Sequence, residues 1–288
     1  MCNSGLHDTK IMATIRGLPP LKQVISSNRL TANRRLGQNF INDLNLTQRI
    51  VVAAKPDLGG TIIEIGAGAG GLTRAILLAG AKQVIAIEKD PRAITALAPL
   101  VEASHGRLTL IAEDASTLAI HTLGQAPRHI IANLPYNMAT HLLMQWLDEA
   151  EAFSAMTLMF QKEVASRITA KTGDSNYGRL SVMCQWLAET KLLFDVDAQA
   201  FIPKPKVTSS VVHFAIRHKP AYPANPEALA HITRLGFGQR RKMLRVSLKS
   251  IGGEALLKQA DIAGTRRAQE LSVAEFCRLA NALTNNAT

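Results

Sequence analysis

The stretch Thr61-Ile62-Ile63-Glu64-Ile65-Gly66-Ala67-Gly68-Ala69-Gly70-Gly71-Leu72-Thr73 decides the fold of this 288-residue chain. Its first five residues are apolar or β-branched around one acid, a pattern typical of a buried strand. Four glycines then fall within six residues, where a helical pattern begins. Glycine accepts positive φ and lets another molecule approach the main chain closely. The stretch therefore predicts a strand, a sharp turn that faces a ligand, and a helix.

Short β-branched runs and helical patterns alternate after this loop. The predicted strands are 61–65, 83–88, 108–112, 129–133, 155–160, 191–196 and 210–216. The predicted helices of this region are 71–79, 91–102, 138–150, 161–170 and 178–188. Because such alternation is typical of parallel sheets covered by helices, we predict a Rossmann-like α/β fold. Its mostly parallel sheet should have seven strands, with helices on both faces. The last two strands lack an intervening helix, which predicts an antiparallel hairpin at the sheet edge.

Two segments of different character flank the predicted sheet. Residues 1–42 precede it as an N-terminal arm. The prolines of 219–226 mark a linker. Beyond the linker the pattern is helical only, near 226–236, 241–250, 253–260 and 273–284. We therefore predict an arm at 1–42, a ligand-binding domain at 43–217 and a small α-helical domain at 218–288.

Positive charge is concentrated at both ends of the chain, whose net charge is +11. Residues 1–60 carry 8 Lys and Arg against 3 Asp and Glu, and residues 217–288 carry 12 against 5. Residues 61–216 are nearly balanced, with 13 against 14. Phosphate backbones attract such basic segments and release counterions on binding. A nucleic acid is therefore a favoured partner. An anionic membrane surface is the weaker alternative, because no long basic amphipathic helix is evident.

The cysteines and the apolar runs restrict the class of protein further. Cys2, Cys184 and Cys277 lie far apart and form no Cys-x-x-Cys pair, so we expect neither a disulfide framework nor a metal site. No apolar run is long enough to span a membrane, and the first residues lack the core of a signal peptide. These observations predict a cytoplasmic protein that does not enter a membrane.

Acidic residues at strand ends bear on the ligand of the glycine loop. Gly66, Gly68 and Gly71 satisfy the dinucleotide fingerprint, and Glu88 ends the second strand where a ribose-binding acid belongs. On this evidence a nicotinamide dinucleotide and S-adenosylmethionine are both open. Glu64 favours the second, because an acid facing the crevice suits a cationic ligand better than a pyrophosphate. Asp114 ends the third strand, where it can accept a hydrogen bond from an adenine amino group.

The tetrapeptide Asn133-Leu134-Pro135-Tyr136 follows the fourth strand, and a dehydrogenase has no evident use for it. The amino nitrogen of adenine is a poor nucleophile because its lone pair is delocalised into the ring. The Asn133 side-chain oxygen and a carbonyl near Leu134 can accept hydrogen bonds from that amino group. Pro135 fixes the backbone, and Tyr136 offers a ring on which a base stacks. Together these residues predict methyl transfer to N6 of adenine without a metal.

Six segments now carry a resemblance to a known family. They are Leu36–Ile41, the glycine loop, Asn133–Tyr136, Gln161–Ala165, Phe201–Ser209 and Arg240–Leu244. In these segments, and along nearly the whole chain, the sequence resembles the small-subunit ribosomal RNA adenine N6-dimethyltransferases. Ile41 stands where that family commonly has Leu. The resemblance implies a class I methyltransferase fold, and transfer of two methyl groups to each of two adjacent adenosines in a hairpin loop near the RNA 3′ end.

The resemblance also implies roles for individual residues. Those implied to contact S-adenosylmethionine are Asn39, Ile41, Gly66, Glu88, Asp114 and Asn133. We add Glu64, Gly68 and Gly70 from the strand and the glycine turn. The arm is expected to fold over the cofactor as a lid, with Gln38 as a further polar contact. Phe201 is expected to cover the base opposite Tyr136. The residues expected to meet RNA phosphates are Lys204, Lys206, Arg240, Arg241, Lys242 and Arg245.

Three other functions compete with this interpretation. A methyltransferase of large-subunit ribosomal RNA would share the core motifs. A DNA adenine methyltransferase more often has Asp or Asn before Pro-Pro-Tyr, and it must flip its base out of a duplex. A non-catalytic RNA-binding assembly factor on the same fold would not need Asn133 and Tyr136. The expected partner is small-subunit ribosomal RNA or the pre-30S particle, and the expected oligomeric state is a monomer.

Overall fold

The computed structural model describes residues 3–30 and 39–286, with side chains from residue 8 onward. Its main sheet has seven strands in the order β4-β3-β2-β5-β6-β9-β7. Their bounds are β2 Thr61–Ile65, β3 Gln83–Ile87, β4 Leu108–Ile111, β5 Arg128–Asn133, β6 Ala155–Gln161, β7 Ala188–Val196 and β9 Ser209–Ile216. Strands β2 to β6 pair in parallel, and β9 pairs antiparallel to β6. The predicted fold class and the number of strands are confirmed.

The helices of the sheet region are α3 Leu44–Ala54, α4 Gly71–Leu78, α5 Pro91–Ala103, α6 Tyr136–Asp148, α7 Lys162–Thr169 and α8 Arg179–Leu187. Five of these helices, α4 to α8, start within two residues of their predicted positions, whereas α3 was not predicted. Right-handed crossovers put α4 and α5 on one face of the sheet and α6 on the other, because the strand order reverses between β4 and β5. All five residues of β2 are buried, as expected for a central strand covered on both faces.

Two helices precede this region and four follow it. They are α1 Asn3–Arg16, α2 Leu21–Ser27, α9 Pro226–Gly238, α10 Leu244–Ser247, α11 Gly253–Gln259 and α12 Val273–Asn285. Ile11 and Ile15 of α1 are buried in the same core as α4. The first helix of the N-terminal arm therefore contributes side chains to the hydrophobic core.

A small second sheet was not predicted. Strand β1 (Phe40–Ile41) pairs antiparallel with β8 (Phe201–Ile202). Two-residue strands have no hydrophobic period, so sequence patterns do not reveal them. Because the chain passes through β8 between β7 and β9, these two strands are not joined by a tight hairpin turn. Strand β7 forms the edge of the main sheet, and β9 lies between β7 and β6.

The chain divides into two compact units that differ from the predicted domains. The first comprises residues 1–162 and 192–215, and the second comprises 163–191 and 216–288. The second unit thus extends beyond the predicted segment 218–288 because α8 packs against α9 and α12. The indole of Trp186 also donates a hydrogen bond of 2.7 Å to the carbonyl of Tyr222.

Within the second unit, the helix expected at 241–250 is reduced to the four residues of α10 and a 3₁₀ turn at Lys249–Ile251. Met243 is extended, and the amide of Leu244 bonds to the carbonyl of Arg266 instead of to a preceding turn. Pairing with a neighbouring segment therefore overrides the local helical preference.

The turn between β2 and α4 has the backbone that the glycines predict. Gly66 has φ 73° and Gly70 has φ 81°, a region that disfavours side chains. A Cβ at Gly66 would meet nothing within 4 Å, whereas a Cβ at Gly70 would lie 2.8 Å from Cδ2 of Leu97. Gly66 therefore faces open space, and Gly70 fixes the close approach of α5.

We expect Gly70→Ala to lower the free energy of unfolding by about 3 kcal/mol, from backbone strain plus overpacking against Leu97. Gly106→Ala is the matched control, because Gly106 has φ 84° and a Cβ at that position would meet no atom within 4 Å. Strain alone should cost the control about 1 to 2 kcal/mol. Urea denaturation measures both, and equal losses would contradict the role of Leu97.

Candidate functional site

The carboxyl ends of the central parallel strands open into one pocket of the first unit. Most of the residues expected at the cofactor and the base line it: Asn39, Ile41, Glu64, Gly66, Gly68, Glu88, Asp114, Asn133, Leu134, Pro135 and Tyr136. Open α/β sheets bind ligands at this edge, where the strand order reverses. The structure thus brings together side chains that lie up to 97 positions apart in the chain.

Glu64 is the most unusual group in this pocket. Its residue is 2% exposed, and its Oε2 atom has no hydrogen-bond partner among the described residues. Burial raises the pKa of this carboxyl most, Thr73 lowers it and the neighbouring Glu88 raises it, which together place the pKa at about 8. A buried acid with an unsatisfied oxygen is costly unless a ligand supplies a donor or a positive charge. The pocket is therefore suited to a cation.

Glu88 holds the glycine loop to the end of β3. Its Oε2 accepts a hydrogen bond of 2.8 Å from the amide of Gly68. Its Oε1 accepts from the amides of Lys89 and Asp90, at 2.8 and 2.9 Å. These three bonds fix the carboxylate at the pocket wall. Oε1 has used both of its lone pairs, whereas Oε2 can accept one further donor, such as a hydroxyl of a ribose.

Asp114 is already held by protein groups at the end of β4. Its Oδ1 accepts from the amide and the hydroxyl of Ser116, at 3.0 and 2.8 Å, and its Oδ2 pairs with Nζ of Lys89 at 2.9 Å. The backbone bond from Ser116 and the ammonium of Lys89 hold the pKa of Asp114 at about 2. Asp114 is thus an ionised acceptor throughout the neutral range.

Asn133 ends β5 with its amide orientation determined by the arm. Its Nδ2 donates a hydrogen bond of 3.0 Å to the main-chain carbonyl of Asn39. A carbonyl can only accept, so the nitrogen must lie on that side and Oδ1 on the other. No described residue donates to Oδ1. The side chain therefore presents an acceptor to a ligand in the pocket.

Tyr136 begins α6 directly after Pro135. Its hydroxyl bonds to the hydroxyl of Ser209 on β9 at 2.5 Å. Burial raises the pKa of the phenol, which therefore stays neutral near pH 7. Because the far end of the side chain is anchored, the ring is held rigidly at the pocket wall. The buried side chain of Leu134 anchors the main chain between Asn133 and Pro135.

Two of the expected site residues lie elsewhere. Phe201 is 3% exposed and packs in the hydrophobic core beside Ile41, away from the pocket lining, because β8 pairs with β1. Gly70 is the N-cap of α4 and packs towards Leu97. Gln38 lies outside the described residues.

The structure adds pocket residues that sequence reasoning missed. Among them are Phe40, Lys89, Met138 and Leu142. A Cβ at Gly68 would lie 3.0 Å from the ring of Phe40, so the two residues pack directly together. Lys89 directly follows Glu88, the acid at the end of its strand, and this position could have predicted that Lys89 lines the pocket. Met138 and Leu142 lie one helical turn apart on α6, a spacing that also fits a core residue.

The basic residues expected at RNA have different surroundings. Lys204 and Lys206 are exposed in the first unit, and Arg241, Lys242 and Arg245 are exposed in the second. Arg240 is half-buried: its guanidinium donates to the carbonyl of Ser175 and to Oε1 of Gln269. Arg240 therefore ties a loop of its own unit together.

Metal ligation and membrane insertion find no support in the part of the chain that the structure describes. Within it, no group of three or more His, Cys, Asp or Glu side chains is arranged to hold a metal ion. Among the same residues, no helix has both the length and the apolar character needed to cross a bilayer.

Comparison with known proteins gives consistent results. The sequence profile described as "Ribosomal RNA adenine dimethylase" matches residues 29–285. The chain is 52% identical over 275 residues to the ribosomal RNA small subunit methyltransferase A of Rhizobium meliloti (strain 1021), covering 94% of this chain and all of that protein. It is 54% identical over 267 residues to the protein of the same name from Paramagnetospirillum magneticum, covering 92% and 95%.

Two solved structures have similar folds. A dimethyladenosine transferase from Plasmodium falciparum superposes with a TM-score of 0.75 at 24% identity, over 85% of this chain and 97% of that chain. The 23S rRNA methyltransferase ErmE gives a TM-score of 0.64 at 26% identity, over 85% of this chain and all of that one. The fold is the Rossmann-like fold of class I methyltransferases. With a family profile that spans most of its length and relatives more than 50% identical, this chain belongs to the ribosomal RNA adenine dimethylase family.

Proposed function

We propose that this protein transfers methyl groups from S-adenosylmethionine to N6 of adenosine in small-subunit ribosomal RNA. Two adjacent adenosines in a hairpin loop near the RNA 3′ end would each receive two methyl groups. Membership of the family and the names of the relatives support the reaction and the RNA class. The observation that carries the proposal is the orientation of Asn133, whose amide is fixed so that an acceptor faces the pocket.

The residues of the pocket fit S-adenosylmethionine. Glu64 offers a buried oxygen without a partner to a ligand that carries positive charge. Glu88 offers an acceptor to the ribose, and Asp114 one to the amino group of the adenine. Gly66 is exposed and leaves space beside the main chain. When bound, the cofactor supplies an electrophilic methyl group on a sulfonium sulfur.

The protein's own contribution to the reaction is to hold and orient the target base. Oδ1 of Asn133 and the carbonyl of Leu134 accept hydrogen bonds from the amino hydrogens, which draws the nitrogen lone pair out of the ring. Tyr136, anchored through Ser209, supports the flat face of the base. Alignment of the two reactants then supplies much of the rate. Phe201 is buried in the core, so the face of the base opposite Tyr136 would need another partner. Phe40 is the other aromatic residue that lines the pocket.

The choice of RNA distinguishes this proposal from its nearest rival. The likeness to ErmE favours a large-subunit substrate as the second candidate. Relatives that are twice as similar, and that match over nearly the whole chain, are named for the small subunit. We further propose a cytoplasmic monomer that acts on RNA of the pre-30S particle. Incubation with labelled cofactor and either unmethylated subunit, followed by mapping of the modified bases, decides between the two substrates.

We expect Asn133→Ala to lower the single-turnover rate of methyl transfer at least about 100-fold, because the transition state loses an oriented acceptor. RNA affinity, measured by filter binding, should change less than about threefold, because phosphate contacts supply most of it. Asn133→Asp keeps an acceptor but cannot donate to the carbonyl of Asn39. It should also be slow, and a wild-type rate in this variant would show that the bond to the arm is unnecessary.

Glu64→Gln should stabilise the ligand-free protein at alkaline pH and weaken cofactor binding. The folded pKa is about 8 and the ordinary value is 4.5. Between these values the folded state holds a proton that the unfolded state has lost, so ionisation of Glu64 costs stability as pH rises through this window. The variant should therefore be more stable than wild type at about pH 8.5 and equal to it near pH 4.5. Chemical denaturation at both pH values measures this difference.

In calorimetric titration, the same Glu64→Gln variant should bind S-adenosylmethionine at least about tenfold more weakly, because it loses the charge that pairs with the cation. Glu113→Gln is the control, since Glu113 lines the same pocket but is exposed. Unchanged affinity in Glu64→Gln would remove Glu64 from the cofactor site.

Simultaneous replacement of Arg241, Lys242 and Arg245 by Gln should reduce the salt dependence of RNA binding. Removing three phosphate contacts should lower the slope of log K against log salt by about 2 to 3. Arg240→Gln serves as the control: it should lower thermal stability through its lost bonds to Ser175 and Gln269, yet leave the slope unchanged. An unaltered slope in the triple variant would place these charges away from RNA.

A further inference from the structure

A second cavity lies behind the glycine loop in the first unit, and we call it the arm cavity. It measures about 180 Å³ and is bounded by α2, by the segment Leu18–Pro19 before it, and by α4 and α5. Ala69 of the glycine loop lines both the arm cavity and the cofactor pocket. The two spaces therefore share a wall, but no part of the proposed methyl transfer uses the second one.

Arg74 of α4 lines this cavity as a charged group without a charged partner. The residue is 5% exposed. One terminal nitrogen donates a hydrogen bond of 3.0 Å to the carbonyl of Pro19, and the buried Nε donates to nothing among the described residues. No described carboxylate lies within ion-pair distance of it. The sequence of residues 31–38 contains no Asp or Glu that would serve instead.

Other arginines of the same unit are satisfied in ways that Arg74 is not. Arg107, with a side chain 10% exposed, forms an ion pair with Asp8, although its Nη1 has no partner among the described residues. Arg128 has no ion pair, but its Nε and both terminal nitrogens donate to three different carbonyls. Burial lowers the pKa of Arg74, yet a guanidinium stays protonated in proteins. A buried guanidinium whose one partner is a carbonyl therefore needs an anion from outside the chain to neutralise its charge.

The lining of the cavity is suited to an oxyanion. A guanidinium presents its donors as a planar fork that matches phosphate and carboxylate oxygens. The facing side of the cavity, formed by α2 and the residue after it, carries the polar side chains of Gln23, Ser27 and Asn28. The Ser27 hydroxyl and the Asn28 amide already donate to the carbonyls of Gln23 and Val24, so the side-chain amide of Gln23 is the donor left for a ligand. No acid lines the cavity, so nothing there repels an anion.

We propose that the arm cavity binds one phosphate group, held by the guanidinium of Arg74 and by the side-chain amide of Gln23. A phosphate ion or a terminal phosphate monoester fits a space of about 180 Å³, whereas a phosphodiester inside an RNA chain must bring both of its ester arms. Such a ligand would fasten the arm to the back of the glycine loop. Its binding is independent of methyl transfer, because it occupies a different cavity.

The test measures thermal unfolding of the full-length protein against potassium phosphate, with potassium chloride at matched ionic strength as the baseline. We expect the midpoint of wild type to rise saturably, by about 5 °C at a hundred times the dissociation constant. Arg74→Met should show no rise above the chloride baseline. Arg107→Gln is the matched control: it removes another shielded arginine that already has an acid partner, and it should retain the rise.

Further measurements keep the result decisive. If Arg74→Met does not fold, Arg74→Lys replaces it, because lysine keeps the positive charge but lacks the planar fork of donors. We expect Arg74→Lys to bind phosphate at least about tenfold more weakly than wild type, as measured by ³¹P NMR line broadening. A short RNA with a 5′-phosphate should stabilise the protein more than the same RNA with a 5′-hydroxyl, and Arg74→Met should abolish that difference. No phosphate-specific rise in wild type, an equal rise in Arg74→Met, or an equal effect of acetate would each overturn the proposal. Cofactor binding, measured on the same samples, reports separately on the proposed function.

Discussion

The hydrogen bonds of the Glu88 carboxylate connect the glycine loop to the neighbouring strand, and the site depends on them. One oxygen accepts the amide of Gly68, and the other accepts the two amides that follow Glu88 itself. The bond to Gly68 spans 20 residues and joins the ends of β2 and β3 at the rim of the sheet. It requires Gly68 at a positive φ of 54° with its amide turned towards the pocket. The loop and the acid are thus one structural unit, and a ligand that uses either must use both.

A second constraint links the arm to the reactive end of the pocket. Phe40 and Ile41 pair with β8, which places the carbonyl of Asn39 against the amide of Asn133. The polarity of that amide, nitrogen towards the arm and oxygen away from it, follows from the pairing. Adenine N6 needs an acceptor at this point, since a donor would repel its amino hydrogens. In the proposed reaction the arm therefore acts through a main-chain atom, the carbonyl of Asn39, and side-chain chemistry alone does not reveal that role.

The sequence predicted the architecture well and the finer contacts less well, for physical reasons. The seven strands came within a few residues of their observed bounds, because runs such as Thr61–Ile65 are buried and β-branched. The convergence of Glu64, Glu88, Asp114 and Asn133 followed from their positions at strand ends. The burial of Phe201 was not foreseen, because it results from a two-residue pairing that leaves no periodic signal. The sequence also did not show that Arg240 is held by Ser175, 65 positions away, and by Gln269, so that it differs from the exposed basic residues beside it. Helices α7 and α8 belong with the C-terminal unit because of packing that composition does not record.

The glycine loop separates two unpaired ionisable groups of opposite sign. Glu64 lines the cofactor pocket and Arg74 lines the arm cavity, and both residues are at least nine-tenths buried. Each lowers the stability of the ligand-free protein, because desolvation is not offset by a partner. Glu64 avoids part of that cost by holding a proton, as its raised pKa shows, whereas a guanidinium cannot give up its charge. The unmet demand for a counter-ion is therefore greater at Arg74 than at Glu64. A chain that keeps both groups so close to one loop is less stable without ligands than its apolar core would allow, and any ligand that partners either group would stabilise it.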